Sequence, residues 1–158
     1  MYISLNGTLV AGGQLSWTEF AELAARVGYE GVDVNLGAAM REGVEATRAL
    51  LTRLKLRPGI VSLPVDFRQD EALFKQGLGK LEEAAEFARA IGCPRMATWV
   101  MSSSDRPKPE QRRILKERIQ ACAEILRKYD IRLGLEFLGP LHLRRRFPYE
   151  FIYRMDEM

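Results

Sequence analysis

Apolar and polar positions along this chain alternate between two periods. Short runs with a two-residue repeat or a continuous β-branched stretch are followed by longer runs repeating every three to four residues, with Gly or Pro between them. The first run, Tyr2-Ile3-Ser4-Leu5-Asn6, reads as a strand and leads into a Gly-rich loop, Ala11-Gly12-Gly13. Ser16-Trp17-Thr18-Glu19 has capping-box spacing, and Phe20, Leu23, Ala24 and Val27 mark one stripe of a helix that Gly28 ends. Strand two spans Gly31 to Leu36, and a helix follows from Val44 to Leu54, stopped before Pro58.

Gly59 to Pro64 reads as strand three. A long helix from Asp70 to Ile91 follows, with Leu73, Phe74, Leu78, Leu81, Ala85 and Ala88 on its buried side. Arg95 to Val100 is strand four, and Ser102 to Pro109 is a polar, Pro-containing βα loop long enough to carry function. Helix four covers Glu110 to Tyr129, with Ile114, Ile119, Ala123 and Leu126 facing inward; strand five is Arg132 to Phe137. The last stretch, Tyr149 to Met158, reads as the beginning of a fifth helix.

Strands alternating one for one with helices imply an α/β fold with a parallel sheet and right-handed crossovers. The sheet is either open and doubly wound or part of an eight-stranded barrel. No G-x-G-x-x-G follows the first strand and no phosphate-loop G-x-x-x-x-G-K-[ST] occurs, which weakens the open alternative. Residues 1–158 are expected to form a single domain, the amino-terminal part of a (β/α)₈ barrel with about five strands present.

Composition changes this picture little. The 158 residues are 47% hydrophobic and 28% charged, with a formal net charge of +3, too mild to argue for nucleic acid. The basic run Arg144-Arg145-Arg146 could meet a phosphate, although such a run is more often a solvated loop. No apolar run approaches the roughly 20 residues that span a membrane, and Met1 to Val10 lacks the features of a signal peptide. Cys93 and Cys122 match neither a metal spacing nor a disulfide framework, so a reducing cytoplasm is the default expectation.

In a parallel barrel, chemistry gathers at the carboxyl ends of the strands. Asp33 lies between Val32 and Val34, and is either a ligand-facing carboxylate or one bonded to neighbouring backbone. Glu136 closes an otherwise apolar strand. Burial there would call for a divalent cation, or for a guanidinium such as that of Arg132 or Arg144. Trp99 is either a wall against a sugar face or a packing residue; Asn6 is either a ligand contact or a turn residue. His142 is the sole histidine, so the chain holds no multi-histidine metal site, and it is either a substrate hydrogen-bonder or a solvated loop residue.

Three segments carry a resemblance. Gly28-Tyr29-Glu30-Gly31-Val32-Asp33 is similar to a G-[YF]-[DE]-G-[VI]-[DE] lead into strand two. Ala88-Arg89-Ala90-Ile91-Gly92-Cys93 is similar to A-x-x-[LI]-G-[AC] before strand four, and Leu133-Gly134-Leu135-Glu136 to the strand-five L-x-[LI]-E. In this order and spacing they resemble the xylose isomerase-like barrel superfamily of sugar phosphate isomerases, epimerases, inosose dehydratases and apurinic endonucleases.

The resemblance implies that Glu136 ligates a divalent ion (Mn²⁺, Mg²⁺ or Co²⁺) and serves as one of two acid/base carboxylates. It also implies further Asp, His and Glu ligands on three later strands, so the chain as it stands is expected to be inactive. The endonuclease branch's histidines are missing from Ser62-Leu63-Pro64 and Thr98-Trp99-Val100, which disfavours DNA as partner. The expected partner is a small sugar or sugar phosphate, with Asn6, Asp33, Trp99 and His142 around it and a homo-oligomer as a further expectation. The competing expectations are a dehydratase of the same superfamily and a non-catalytic carbohydrate-binding half-barrel.

Overall fold

The computed structural model describes residues 1–7, 15–68 and 70–158; the Gly-rich loop Ala11-Gly12-Gly13 lies outside the described residues. A five-stranded parallel sheet is built from β1 (Ser4–Leu5), β2 (Gly31–Val34), β3 (Arg57–Ser62), β4 (Arg95–Val100) and β6 (Arg132–Phe137), in the order β1-β2-β3-β4-β6. Helices α1 (Trp17–Arg26), α2 (Leu36–Glu42), α3 (Val44–Leu54), α4 (Glu71–Ala90) and α5 (Lys108–Lys128) connect the strands. Neighbours in the sheet follow chain order, as in a barrel wall, so the chain forms a partial barrel.

The starts of α1 and α4 follow from capping chemistry. Ser16 Oγ accepts from the Glu19 amide, while Glu19 Oε2 accepts from the Ser16 amide at 2.9 Å. The Ser16 hydroxyl, which donates to Glu19 Oε2 at 2.7 Å, and the Ser16 amide hold the Glu19 carboxyl below its usual range. Asp70 Oδ1 accepts from the Leu73 amide at 2.9 Å and opens α4. The buried stripes are rotated from those expected in two helices. Trp17, Phe20, Ala21 and Ala24 are buried in α1, whereas Val27 is 55% exposed. In α5, Leu115, Cys122 and Leu126 are buried and Ala123 faces out. Leu73 of α4 is likewise exposed.

Strand two ends at Val34, earlier than its apolar pattern suggests, because Asn35 leaves the strand to cap α2: its Oδ1 accepts from the Ala38 amide at 3.1 Å. Pro58, expected just before strand three, stands inside β3. It is tolerated there because β4 pairs with β3 only at Val61↔Met96 and Ser62↔Ala97, so no β4 ladder bond is lost beside Pro58.

The largest departure is at the carboxyl-terminal end. Tyr149 to Met158 does not open a helix. Tyr149–Glu150 forms β7, antiparallel to β5 (Ser103–Ser104), and Met155–Glu157 makes a single 3₁₀ turn. The Phe151 amide donates to Ser102 O at 2.8 Å, and Phe151 and Ile152 are buried. Tertiary strand pairing here overrides a helix-like local pattern. The same return buries Ser102, Ser103 and Ser104, so the polar loop after β4 is not a free surface loop.

Candidate functional site

Paired residues on neighbouring parallel strands share a face, and the β4–β6 register therefore sorts the side chains. Met96 and Val100 are buried in the core beneath the helices. Ala97 and Trp99 point the other way, with Gly134 and Glu136 as their partners. A Cβ placed on Gly134 would lie 3.7 Å from that of Ala97, in agreement with this face. Trp99 and Glu136 thus stand side by side on the helix-free, concave face near the carboxyl ends of their strands.

Glu136 is exposed, and among the described residues it has no hydrogen-bonding or ion-pair partner. The concave face is open, so the burial that would itself demand a cation is not present. Neither Arg132 nor Arg144 claims the carboxylate; Arg144 instead lies over the Tyr153 ring, 4.6 Å from its centroid. Among the described residues no three His, Cys, Asp or Glu side chains form a group that could hold a metal ion. A divalent cation takes several ligands in fixed geometry, and Glu136 is a single carboxylate. The residues present do not fit such an ion by themselves.

Asn6 and Asp33 gather elsewhere, at the mouth of β1, β2 and β3. They line a cleft of about 600 Å³ together with Trp17, Phe20, Met40 and Ser62. Asp33 Oδ1 accepts from Ser4 Oγ at 2.9 Å and from the Ile60 amide at 3.3 Å. Burial pushes its carboxyl pKa up, and the two hydrogen bonds pull against that shift. Asp33 is thus hydrogen-bonded to neighbouring groups and also borders the cleft. Gly59 is required beside it, because a Cβ there would collide with Ser4 Oγ and Asp33 Oδ1.

Trp99 and Glu136 do not line that cleft. His142 sits exposed on a short helix, α6 (Leu141–Arg144), beyond β6. Helix α6 is fastened to the β4 loop by Ser103 Oγ, which donates to Leu143 O at 2.6 Å and accepts from the Phe147 amide at 3.2 Å.

One residue at the carboxyl end escaped the sequence reading. Arg68, in the loop after β3, lays its guanidinium on the Trp99 ring at 3.9 Å from the centroid. The pattern Asp66-Phe67-Arg68 shortly after a strand, with an acid and an aromatic preceding the arginine, was the available signal.

The chain runs through β-strands and helices in the order of a barrel wall, with polar residues at the carboxyl ends, and residues 21–157 match the family described as xylose isomerase-like TIM barrel. The chain belongs to that family. No curated protein matches it in sequence. Among solved structures it is similar to a xylose isomerase domain protein from Alicyclobacillus acidocaldarius, with 28% identity and a TM-score of 0.85. That match covers 99% of this chain and 56% of the other. A protein named IOLI, solved with a bound zinc atom, shares 14% identity at a TM-score of 0.74, covering 88% of this chain and 52% of that one. A 3-keto-D-glucoside 4-epimerase from E. coli shares 12% identity at 0.72, covering 91% and 60%. The last two show the fold alone. This xylose isomerase-like chain spans between about half and three fifths of the length of each of these structures. None of its described helices is long and apolar enough to cross a membrane.

Proposed function

We propose that this chain forms the first five strands of a sugar isomerase or epimerase barrel, with Glu136 as an acid/base carboxylate acting on the carbon beside a carbonyl. The observation that carries this reading is the position of Glu136: concave face, carboxyl end of the sheet, beside the exposed ring of Trp99. In this reading the Glu136 carboxylate takes the proton from a carbon next to a ketone. The electron pair moves into the carbonyl to give an enediolate; a proton delivered to the opposite face of the same carbon yields the epimer, and a proton delivered to the former carbonyl carbon, with the neighbouring hydroxyl proton passing to the former carbonyl oxygen, yields the isomer. The part of the Trp99 ring that Arg68 leaves uncovered offers an apolar wall to the sugar. Asn6 and Asp33, from β1 and β2, and His142, from α6, hydrogen-bond its hydroxyls. A divalent ion, Mn²⁺, Mg²⁺ or Co²⁺, would require carboxylates and imidazoles in addition to Glu136, and the chain alone is expected to be inactive.

Proton exchange with solvent tests this. The chain is mixed with the segment of the Alicyclobacillus protein that it does not match, and a panel of ketoses is followed in D₂O by NMR. Deuterium should enter the carbon beside the carbonyl only in the mixture, and Glu136→Gln should reduce the rate by at least about 100-fold. Exchange that is unchanged in the Gln variant would remove Glu136 from the chemistry.

A further inference from the structure

Arg68 is held from four sides. Its Nε lies 3.0 Å from Asp66 Oδ1, and its Nη1 donates to Trp99 O at 3.0 Å and to Thr98 Oγ1 at 3.3 Å. Its flat face covers the Trp99 ring and, at 4.8 Å, the Phe67 ring. A guanidinium carries five N–H donors, of which these contacts use three. The two on Nη2 have no partner among the described residues. The side chain is 27% exposed. Its head is thus fixed in place at the carboxyl end of the sheet, with donors left over.

We propose that Arg68 binds an oxyanion, a carboxylate or phosphate carried by the substrate. The proposal rests on the sugar-isomerase reading for its location and deepens it by assigning an anionic substrate class. Planar, charge-assisted donors suit such groups. Stacking and the Asp66 contact have already removed the side chain's freedom, so little ordering cost remains for binding. The ring beneath the guanidinium belongs to Trp99, one rung across from Glu136. A group bound on Nη2 would therefore place the rest of a small molecule over the concave face. A second guanidinium at that end points the same way: Arg144, from the basic run after β6, buries an Nε with no acceptor among the described residues.

The test uses the full chain and the emission of Trp99, which is 37% exposed while Trp17 is 2% exposed; Trp99→Phe identifies the reporting ring. Inorganic phosphate, D-ribose 5-phosphate, a keto acid and neutral D-ribose are titrated separately. Phosphate or the keto acid should give a saturable change, the better of the two naming the anion, and ribose should give none. Arg68→Gln should weaken binding by about tenfold or more, the loss of one charge-assisted contact. Arg68→Lys should recover part of it. Asp66→Asn keeps the stack but removes the competing carboxylate, and should tighten anion binding severalfold; a purely structural clasp predicts no such gain.

Equal anion affinity in Arg68→Gln, ribose binding as tightly as its phosphate, or no saturable response to any anion at tens of millimolar each overturns the proposal. Retained anion binding without deuterium exchange in the mixed-segment assay would instead sink the isomerase reading and leave this one standing.

Discussion

Trp99 and Glu136 face each other across the β4–β6 ladder, paired in register on the side of the sheet that no helix covers. Among the described residues, a lone carboxylate in that position has no companion ligands to keep a cation. Titrated with Mn²⁺ by calorimetry, the 158-residue chain should show no binding tighter than about millimolar. A micromolar site would mean that ligands other than Glu136 assemble within this chain.

The carboxyl of Asp33 sits above its ordinary pKa of 3.8 because burial outweighs its two hydrogen bonds. The folded state therefore holds the extra proton, and stability falls as pH rises from 3.8 through the raised folded value. Asp33→Asn keeps an acceptor for Ser4 and Ile60 and removes the charge. Thermal melts between pH 4 and 7 should show a wild-type decline from this group that is flattened in the Asn variant. A decline of equal slope in both proteins would assign the pH dependence elsewhere.

Gly59 has no room for a methyl group against Ser4 and Asp33. Gly59→Ala should cost roughly 1–3 kcal/mol by urea unfolding, as overpacking does. It should also disturb the cleft beside Asp33.

Ser103 ties α6 and the segment leading to β7 onto the loop after β4 through two hydrogen bonds. Ser103→Ala leaves the Leu143 carbonyl and the Phe147 amide without that partner, at about 1–3 kcal/mol. Amide exchange should quicken from Leu141 to Glu150 and remain slow in α4. Uniform acceleration across the chain would mean global destabilisation instead.

Leu135 and Trp99 are each 37% exposed, and β6 is an unpaired edge of the sheet. Edges of this kind pair with other chains. Sedimentation should reveal concentration-dependent association that Leu135→Lys reduces.

The alternation of strands and helices was readable because each buried stripe has its own period and because α1 and α4 open on side-chain caps, Ser16 and Asp70. Residues at element ends were less legible. Asn35 continued the alternation of strand two on paper, yet its side chain is more useful as a cap. Tyr149 to Met158 failed for a deeper reason: its partner, Ser103–Ser104, lies more than forty residues away, and no local pattern encodes that pairing. The proposed site residues separate for the same reason. Sequence places Asn6, Asp33, Trp99 and Glu136 at strand ends but cannot report that the first two border a cleft the others do not reach. Asp66-Phe67-Arg68 was a faint signal in the sequence, because the meaning of Arg68 comes from the distant ring it lies on.

The short register between β3 and β4 carries a mechanical consequence. Six rungs join β4 to β6, whereas two join β3 to β4. The β3–β4 seam divides the wall into a panel of β1 to β3, itself joined by two and three rungs, that carries Asn6 and Asp33, and a more continuously paired panel of β4 and β6 that carries Trp99 and Glu136. Arg68 is anchored in the loop that leaves the first panel and grips Trp99 on the second, so it works as a latch across that seam.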